Sequence, residues 1–177
     1  MAIFRFGLFG SASIGVYSLA INKMAIVPPQ LPEKKVKELE EWLRVRVVRT
    51  TIGESVLIGA LSNANSNGIV LPHFVQDKEI RAIKESSDIN MTIMETKRTA
   101  YGNSILANDY GAVVDPRLKT RDLKKIADTL GVEAVGGEIA GLPYVGSLAI
   151  ATNKGVLAHP LLKDEEQKVL ADVLKVH

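Results

Sequence analysis

The sequence contains no cysteine. That excludes disulfide bridges, thiolate metal sites and any mechanism built on a cysteine nucleophile, and it suits a reducing compartment. Aromatic residues are scarce at 5% of the chain, with one tryptophan, Trp42. No apolar run reaches the roughly eighteen residues that a membrane span needs. Residues 1–20 carry a single charge, Arg5, and have the composition of a secretory leader, but the repeat described below draws them into the fold. An excess of charge of one sign is also missing. Twenty-two Lys and Arg face 20 Asp and Glu, and the formal charge of +2 is spread along the chain, too weak for a dedicated nucleic-acid surface. What remains is globular material, 46% hydrophobic and 24% charged, and 177 residues are enough to bury a core.

Four segments of the chain align with one another. They begin at Ile14-Gly15, Ile58-Gly59, Tyr101-Gly102 and Val145-Gly146, with glycines 44, 43 and 44 residues apart. Each is followed by an apolar run, a polar turn, a second apolar run and a proline: Pro28, Pro72, Pro116 or Pro160. Two landmarks in phase through four cycles define an internal repeat. The turns, Asn22-Lys23, Ser66-Asn67-Gly68, Asp109-Tyr110-Gly111 and Asn153-Lys154-Gly155, offer the residue types that tight hairpins with positive φ require. The runs around them, such as 148–151 and 155–158, suit strands, so each unit is predicted to open with a β-hairpin.

A helical period follows each proline. Val36, Leu39 and Leu43 line one face of 32–43, and Ile80 and Ile83 do the same in the second unit. Leu123, Ile126 and Leu130 serve the third unit; Leu170, Val173 and Leu174 serve the fourth, where Asp164 and Gln167 suggest a capping box. Helices this short must pack their apolar stripe on the hairpin to be stable. Third strands at 45–48, 91–94 and 132–135 lead into the next unit. Residues 3–9 look like such a strand without its helix, so they are assigned to a ring-closing unit at the far end of the chain. The expected architecture is one α/β domain over 1–177, a pseudo-symmetric ring of ββαβ units starting near 14, 58, 101 and 145.

Nothing in the sequence assembles a catalytic centre, and no metal, cofactor or small-molecule substrate is assigned. His73, His159 and His177 sit at non-equivalent places and read as surface residues. Asp109 reads as a turn residue and Asp115 as a strand end. The glycines between 131 and 137 do not precede a helix start, so they make no phosphate cradle. Trp42 reads as partial core. A clamp around duplex DNA would need basic helices, whereas Glu38, Glu40 and Glu41 mix with the lysines of the first one. The chain therefore reads as a binding protein rather than an enzyme. Residues at and after the repeated glycines open the first hairpin strand and would cluster at one end of a ring. They are Gly15, Val16, Gly59, Ala60, Gly102, Asn103, Gly146 and Ser147. The competing reading is that the glycines serve close packing and their neighbours are incidental.

Ile14-Gly15-Val16-Tyr17, Leu57-Ile58-Gly59-Ala60, Thr99-Ala100-Tyr101-Gly102-Asn103 and Val145-Gly146-Ser147 together resemble the archaeal translation initiation factor 6 family. So do Asn108-Asp109-Tyr110-Gly111-Ala112 and the segment from Thr152 to Pro160, and the likeness runs the whole length in register. The resemblance implies the pentein fold, an α/β propeller of five units. It also implies a cytoplasmic factor that binds the large ribosomal subunit, chiefly ribosomal protein uL14 near the sarcin-ricin loop. There it would prevent premature joining of the small subunit and take part in large-subunit maturation. It makes the glycine rim the ribosome-facing side, with Gly102-Asn103 matching the family's Gly-Asn and Ala60 standing where eukaryotic members carry arginine. The guanidino-modifying enzymes of the same fold need the cysteine that this chain lacks. Four units are present of the five implied, and the sequence stops about three residues past Leu174, where a third strand is due. The expectation is a fragment with an open gap between its first and last units; the alternative is a complete four-unit ring in which residues 3–9 and the last helix close on each other.

Overall fold

In the computed structural model, which describes residues 4–176, the first three repeats lay down the same five pieces in the same order and the fourth lays down the first four of them. The first has a single helical turn α1 (Ile14–Tyr17), a hairpin of β1 (Leu19–Ala20) and β2 (Met24–Val27), a longer helix α2 (Glu33–Leu43) and a third strand β3 (Arg46–Arg49). The second has α3 (Ile58–Leu61), β4 (Asn63–Ala64), β5 (Gly68–Pro72), α4 (Asp77–Lys84) and β6 (Asn90–Met94). The third has α5 (Tyr101–Ser104), β7 (Ile105–Ala107), β8 (Gly111–Val114), α6 (Thr120–Leu130) and β9 (Glu133–Gly136). The fourth has α7 (Val145–Leu148), β10 (Ala149–Thr152), β11 (Gly155–Ala158) and α8 (Asp164–Leu174).

The hairpins are antiparallel, and each third strand returns parallel to the second strand of its unit. Met24, Gly68 and Gly111 open the parallel ladders opposite Arg46, Asn90 and Glu133, which fixes the equivalence of positions between units. Strands β2, β5 and β8 are buried along their whole length, because a helix covers each face. Met24, Ile26 and Val48 of the first unit share a core with Ile58, Ile69, Leu71 and Ile83 of the second. Val70 of the second unit joins Tyr101, Ile126 and Leu130 of the third. Leu106 and Val113 of the third join Leu170, Val173 and Leu174 of the fourth. Each long helix after the first is thus a wedge between its own sheet and the preceding one.

The hairpin turns close differently from expectation. None of their residues has positive φ. Instead the side chain at the strand end folds over the turn. Asn65 Oδ1 accepts from the amides of Asn67 and Gly68, Asn108 Oδ1 from those of Tyr110 and Gly111, and Thr152 Oγ1 from those of Lys154 and Gly155. Gly68 and Gly111 serve the next unit, since a methyl there would overlap the carbonyl oxygens of Thr129 and Val173. The prolines are not all equivalent either. The backbone bonds Leu31 to Pro28, Val75 to Pro72, Leu118 to Asp115 and Leu162 to His159 show that Asp115 and His159 take the position of Pro28 and Pro72.

Residues 4–7 carry no strand, and Ile3 lies outside the described residues. Leu8 and Ser11 form the same small bridge as Ile52 with Ser55 and Ile139 with Leu142, the turns that follow β3 and β9. Phe4 stacks on Trp42 at 4.4 Å and Phe6 meets the same ring edge-on at 5.9 Å. Trp42 therefore anchors the N-terminal segment to α2. After α8, Lys175 and Val176 form no strand, Val176 is buried, and His177 lies outside the described residues.

Candidate docking surface

The four repeated glycines do not open strands. Gly15, Gly59, Gly102 and Gly146 are the second residues of α1, α3, α5 and α7, and Val16, Ala60, Asn103 and Ser147 are the third. Serines end the first three turns: Ser18, Ser62 and Ser104 each donate a hydroxyl hydrogen bond to the carbonyl four residues back. The chain then extends into the hairpin.

The turns abut one another through their glycines. A methyl on Gly59 would overlap the carbonyl oxygens of Gly15 and Ser18. One on Gly102 would overlap that of Gly59, and one on Gly146 those of Gly102 and Ile105. Only a residue without Cβ permits this approach. The packing role of the glycines is thus real, and it brings their neighbours onto one end of the molecule. Val16 and Ser147 are exposed there, and Ala60 and Asn103 are half-buried. The Asn103 side chain makes no hydrogen bond to another described residue. Leu57 and Tyr144, just ahead of α3 and α7, are 39% and 48% exposed and add apolar surface to this end. The sequence pattern did not single them out. The available signal was the apolar residue ahead of each repeated pair at 57–58 and 144–145.

A charged cluster flanks α5. Asp115, expected as a plain strand end, is fully buried and its backbone amide donates to Ser104 at 2.8 Å. Its carboxylate accepts from Arg98 Nη1 at 2.6 Å, from Arg117 Nε and Nη2 at 2.9 and 2.8 Å, and from the Arg117 amide at 2.9 Å. Burial alone would push the carboxyl up. The hydrogen bonds from Arg117 and the charges of both arginines outweigh it and hold Asp115 below the usual carboxylate range. The Arg117 guanidinium lies 5.2 Å from the centre of the Tyr144 ring.

At the other end of the strands the hairpin turns converge on Asp109. Its Oδ2 accepts from Asn22 Nδ2 at 3.1 Å, Ser66 Oγ at 2.8 Å and Asn153 Nδ2 at 2.6 Å, and its Oδ1 from the Ser66 amide at 2.8 Å. Burial opposes its ionisation, yet these bonds keep Asp109 below its ordinary value. The ring borders a cavity of about 320 Å³. Through these bonds Asp109 joins four units. Strand β8 separates it from Asp115, so the two carboxylates form no acid–base pair. His73 is exposed, and His159 accepts from the Leu161 amide at 3.2 Å. Among the described residues no group of three or more His, Asp or Glu is arranged to hold a metal, and no helix is long and apolar enough to cross a membrane.

Residues 3–177 match the model of the eIF-6 family. Translation initiation factor 6 of Methanocaldococcus jannaschii is 44% identical over 173 residues, 94% of this chain and 75% of the relative. That of Staphylothermus marinus is 38% identical over 179 residues, 99% of this chain and 79% of the relative. That of Pyrococcus horikoshii is 39% identical over 181 residues, 99% of this chain and 80% of the relative.

Proposed function

The chain belongs to the eIF-6 family, and from that premise we propose that it serves translation initiation in the cytoplasm by binding the large ribosomal subunit. Bound there, against ribosomal protein uL14 near the sarcin-ricin loop, it keeps the small subunit from joining prematurely and takes part in large-subunit maturation. The observation that carries this reading is the end of the molecule built by α1, α3, α5 and α7. Backbones that approach through glycine set the four turns side by side. Val16, Leu57 and Tyr144 give it exposed apolar area, and Asn103 and Ser147 place polar groups among them. Apolar anchors within a polar setting are the anatomy of a protein docking face. Gly15, Gly59, Gly102 and Gly146 set its shape.

The same reading makes the four repeats part of a five-unit pentein ring. Ile26, Val70 and Val113 occupy one position in three units and are each fully buried by the next unit, while their counterpart Leu157 is 75% exposed and its strand partner Ile150 64%. A methyl on Gly155 would meet nothing, where one on Gly68 or Gly111 would strike a helix. At the first unit a methyl on Gly15 likewise meets nothing. Those two open flanks are where a fifth unit would fit.

The test is co-sedimentation with purified archaeal large subunits, followed by addition of small subunits. The chain should pellet with the large subunit and reduce the yield of joined ribosomes. A chain that stays in the supernatant, or that pellets and leaves joining unchanged, refutes the proposal.

A further inference from the structure

The balanced charge of the chain conceals one concentrated site. Asp115 stands where the first, second and fourth units have Pro28, Pro72 and His159, and Arg117 where they have Gln30, Phe74 and Leu161. Three units therefore make the same strand exit without any carboxylate. An ionised group with no exposure is costly unless well paired, and here it is paired twice over. The repeat does not need this cluster. Its effect is to hold two guanidinium groups in fixed positions while leaving the Arg98 and Arg117 side chains 39% and 46% exposed. Two positive charges against one negative leave the spot net positive. Tyr144 adds a half-exposed ring directly beside the Arg117 guanidinium.

We propose that Arg98 and Arg117, fixed by Asp115 beside Tyr144, form the RNA-contacting corner of the docking face. It would take the backbone phosphate of an unpaired nucleotide on the guanidinium groups and its base against Tyr144. This rests on the large-subunit reading above and assigns part of that contact to ribosomal RNA. Arg117 turns its Nε–Nη2 edge to Asp115 and Arg98 its Nη1, which leaves Arg117 Nη1 and the other Arg98 nitrogens for phosphate oxygens, and the pairing removes rotamer freedom that binding would otherwise have to freeze. A flat ring next to fixed cations suits a splayed base and its phosphate, the usual way in which single-stranded or loop RNA is held. An acidic protein segment would use the cations and leave the ring without a task.

The test measures the binding of the full chain to purified large subunits across a salt series. The variant R98Q/D115N/R117Q removes all three charges together, so that no ion is left buried and unpaired, and thermal melting checks that it folds. Losing this phosphate contact should make the slope of log affinity against log salt shallower by about 1 and weaken binding roughly tenfold at low salt. In parallel, Tyr144→p-benzoylphenylalanine is photo-cross-linked within the complex, and the adduct should be degraded by ribonuclease. A folded triple variant with an unchanged slope overturns the proposal. So does a Tyr144 adduct that resists ribonuclease and yields to protease, which identifies a protein partner. If the triple variant does not fold, the cross-link decides alone. Failure of the unaltered chain to bind any large subunit is a separate result, which overturns the docking reading and this proposal with it.

Discussion

Gly102→Ala puts a methyl group where α5 meets α3. By intrinsic propensity the change favours the helical turn by about 1 kcal/mol. Packing opposes it. The methyl carbon would overlap the Gly59 carbonyl oxygen and come within 2.8 Å of the Ser62 carbonyl oxygen. Both are backbone atoms, so no side chain can rotate out of the way and the two units must move apart. Movement away from α3 is blocked in turn, because Gly146 packs on the Gly102 carbonyl from the other side. Overpacking of this kind costs about 3 kcal/mol, the upper end of its usual range. The net destabilisation is then about 2 kcal/mol, and for a domain of this size Tm should fall by roughly 4–8 °C. Gly15→Ala is the matched control. Nothing lies within 4 Å of its Cβ position, so only the propensity gain remains and Tm should rise by up to about 4 °C. Scanning calorimetry of both variants reads the difference. A Gly102→Ala protein that melts with the unaltered chain, or a Gly15→Ala protein that falls as far, would refute the glycine-packing argument.

Equivalent strand positions should respond differently to polar substitution. Val113→Ser should cost about 2 kcal/mol or more in chemical denaturation, because the site is sealed by α8, while Leu157→Ser should stay within about 0.5 kcal/mol. Asp109→Ala strips Asn22, Ser66 and Asn153 of their shared acceptor and should cost about 2–3 kcal/mol at neutral pH. Asp109, Asp115, Glu79 and Glu166 all have folded-state values below their ordinary ones. The stability they contribute is complete above about pH 5 and disappears as pH falls through their depressed values, so Tm should decline from about pH 4 downward. A flat Tm between pH 5 and 2 would mean that these networks contribute nothing.

The repeat is legible because its cause is steric. Backbone contact admits only glycine at Gly59, Gly102 and Gly146, at one spacing, and the sequence carries that constraint openly. The long helices are legible for a similar reason, since Leu123, Ile126 and Leu130 must fall on one stripe to wedge between sheets. The one-turn helices are not. Four residues such as Ile14–Tyr17 are too few for a period to be recognised, and their apolar character imitates the start of a strand. The helix caps depend on long-range contacts that local spacing does not report. Asp164 with Gln167 suggests a capping pair, yet it is Glu166 that accepts from the Lys163 amide, and the same carboxylate reaches Ala140 and Gly141 in the loop ahead of α7. Glu79 does likewise for Gln76, Gly53 and Glu54, whereas the first unit has Lys35 at that place, donating to the Gly7 carbonyl. The Asp115 cluster escaped for two reasons. Arg98 is distant along the chain, and alignment on prolines set Asp115 one residue out of register with Pro28 and Pro72.

Asn103 offers the most direct test of the docking face. Its side chain is half-buried on that face and bonds to no other described residue, so replacing it removes little that holds the fold. Truncating an interface side chain that bonds its partner costs more than about 1 kcal/mol of binding, and burying an unpaired charge there costs more. The decisive measurement is the affinity of Asn103→Lys for purified large subunits, taken beside its Tm. The docking account predicts binding at least about tenfold weaker with Tm unchanged within about 2 °C. Unchanged binding in a variant that folds as well as the unaltered chain would contradict it.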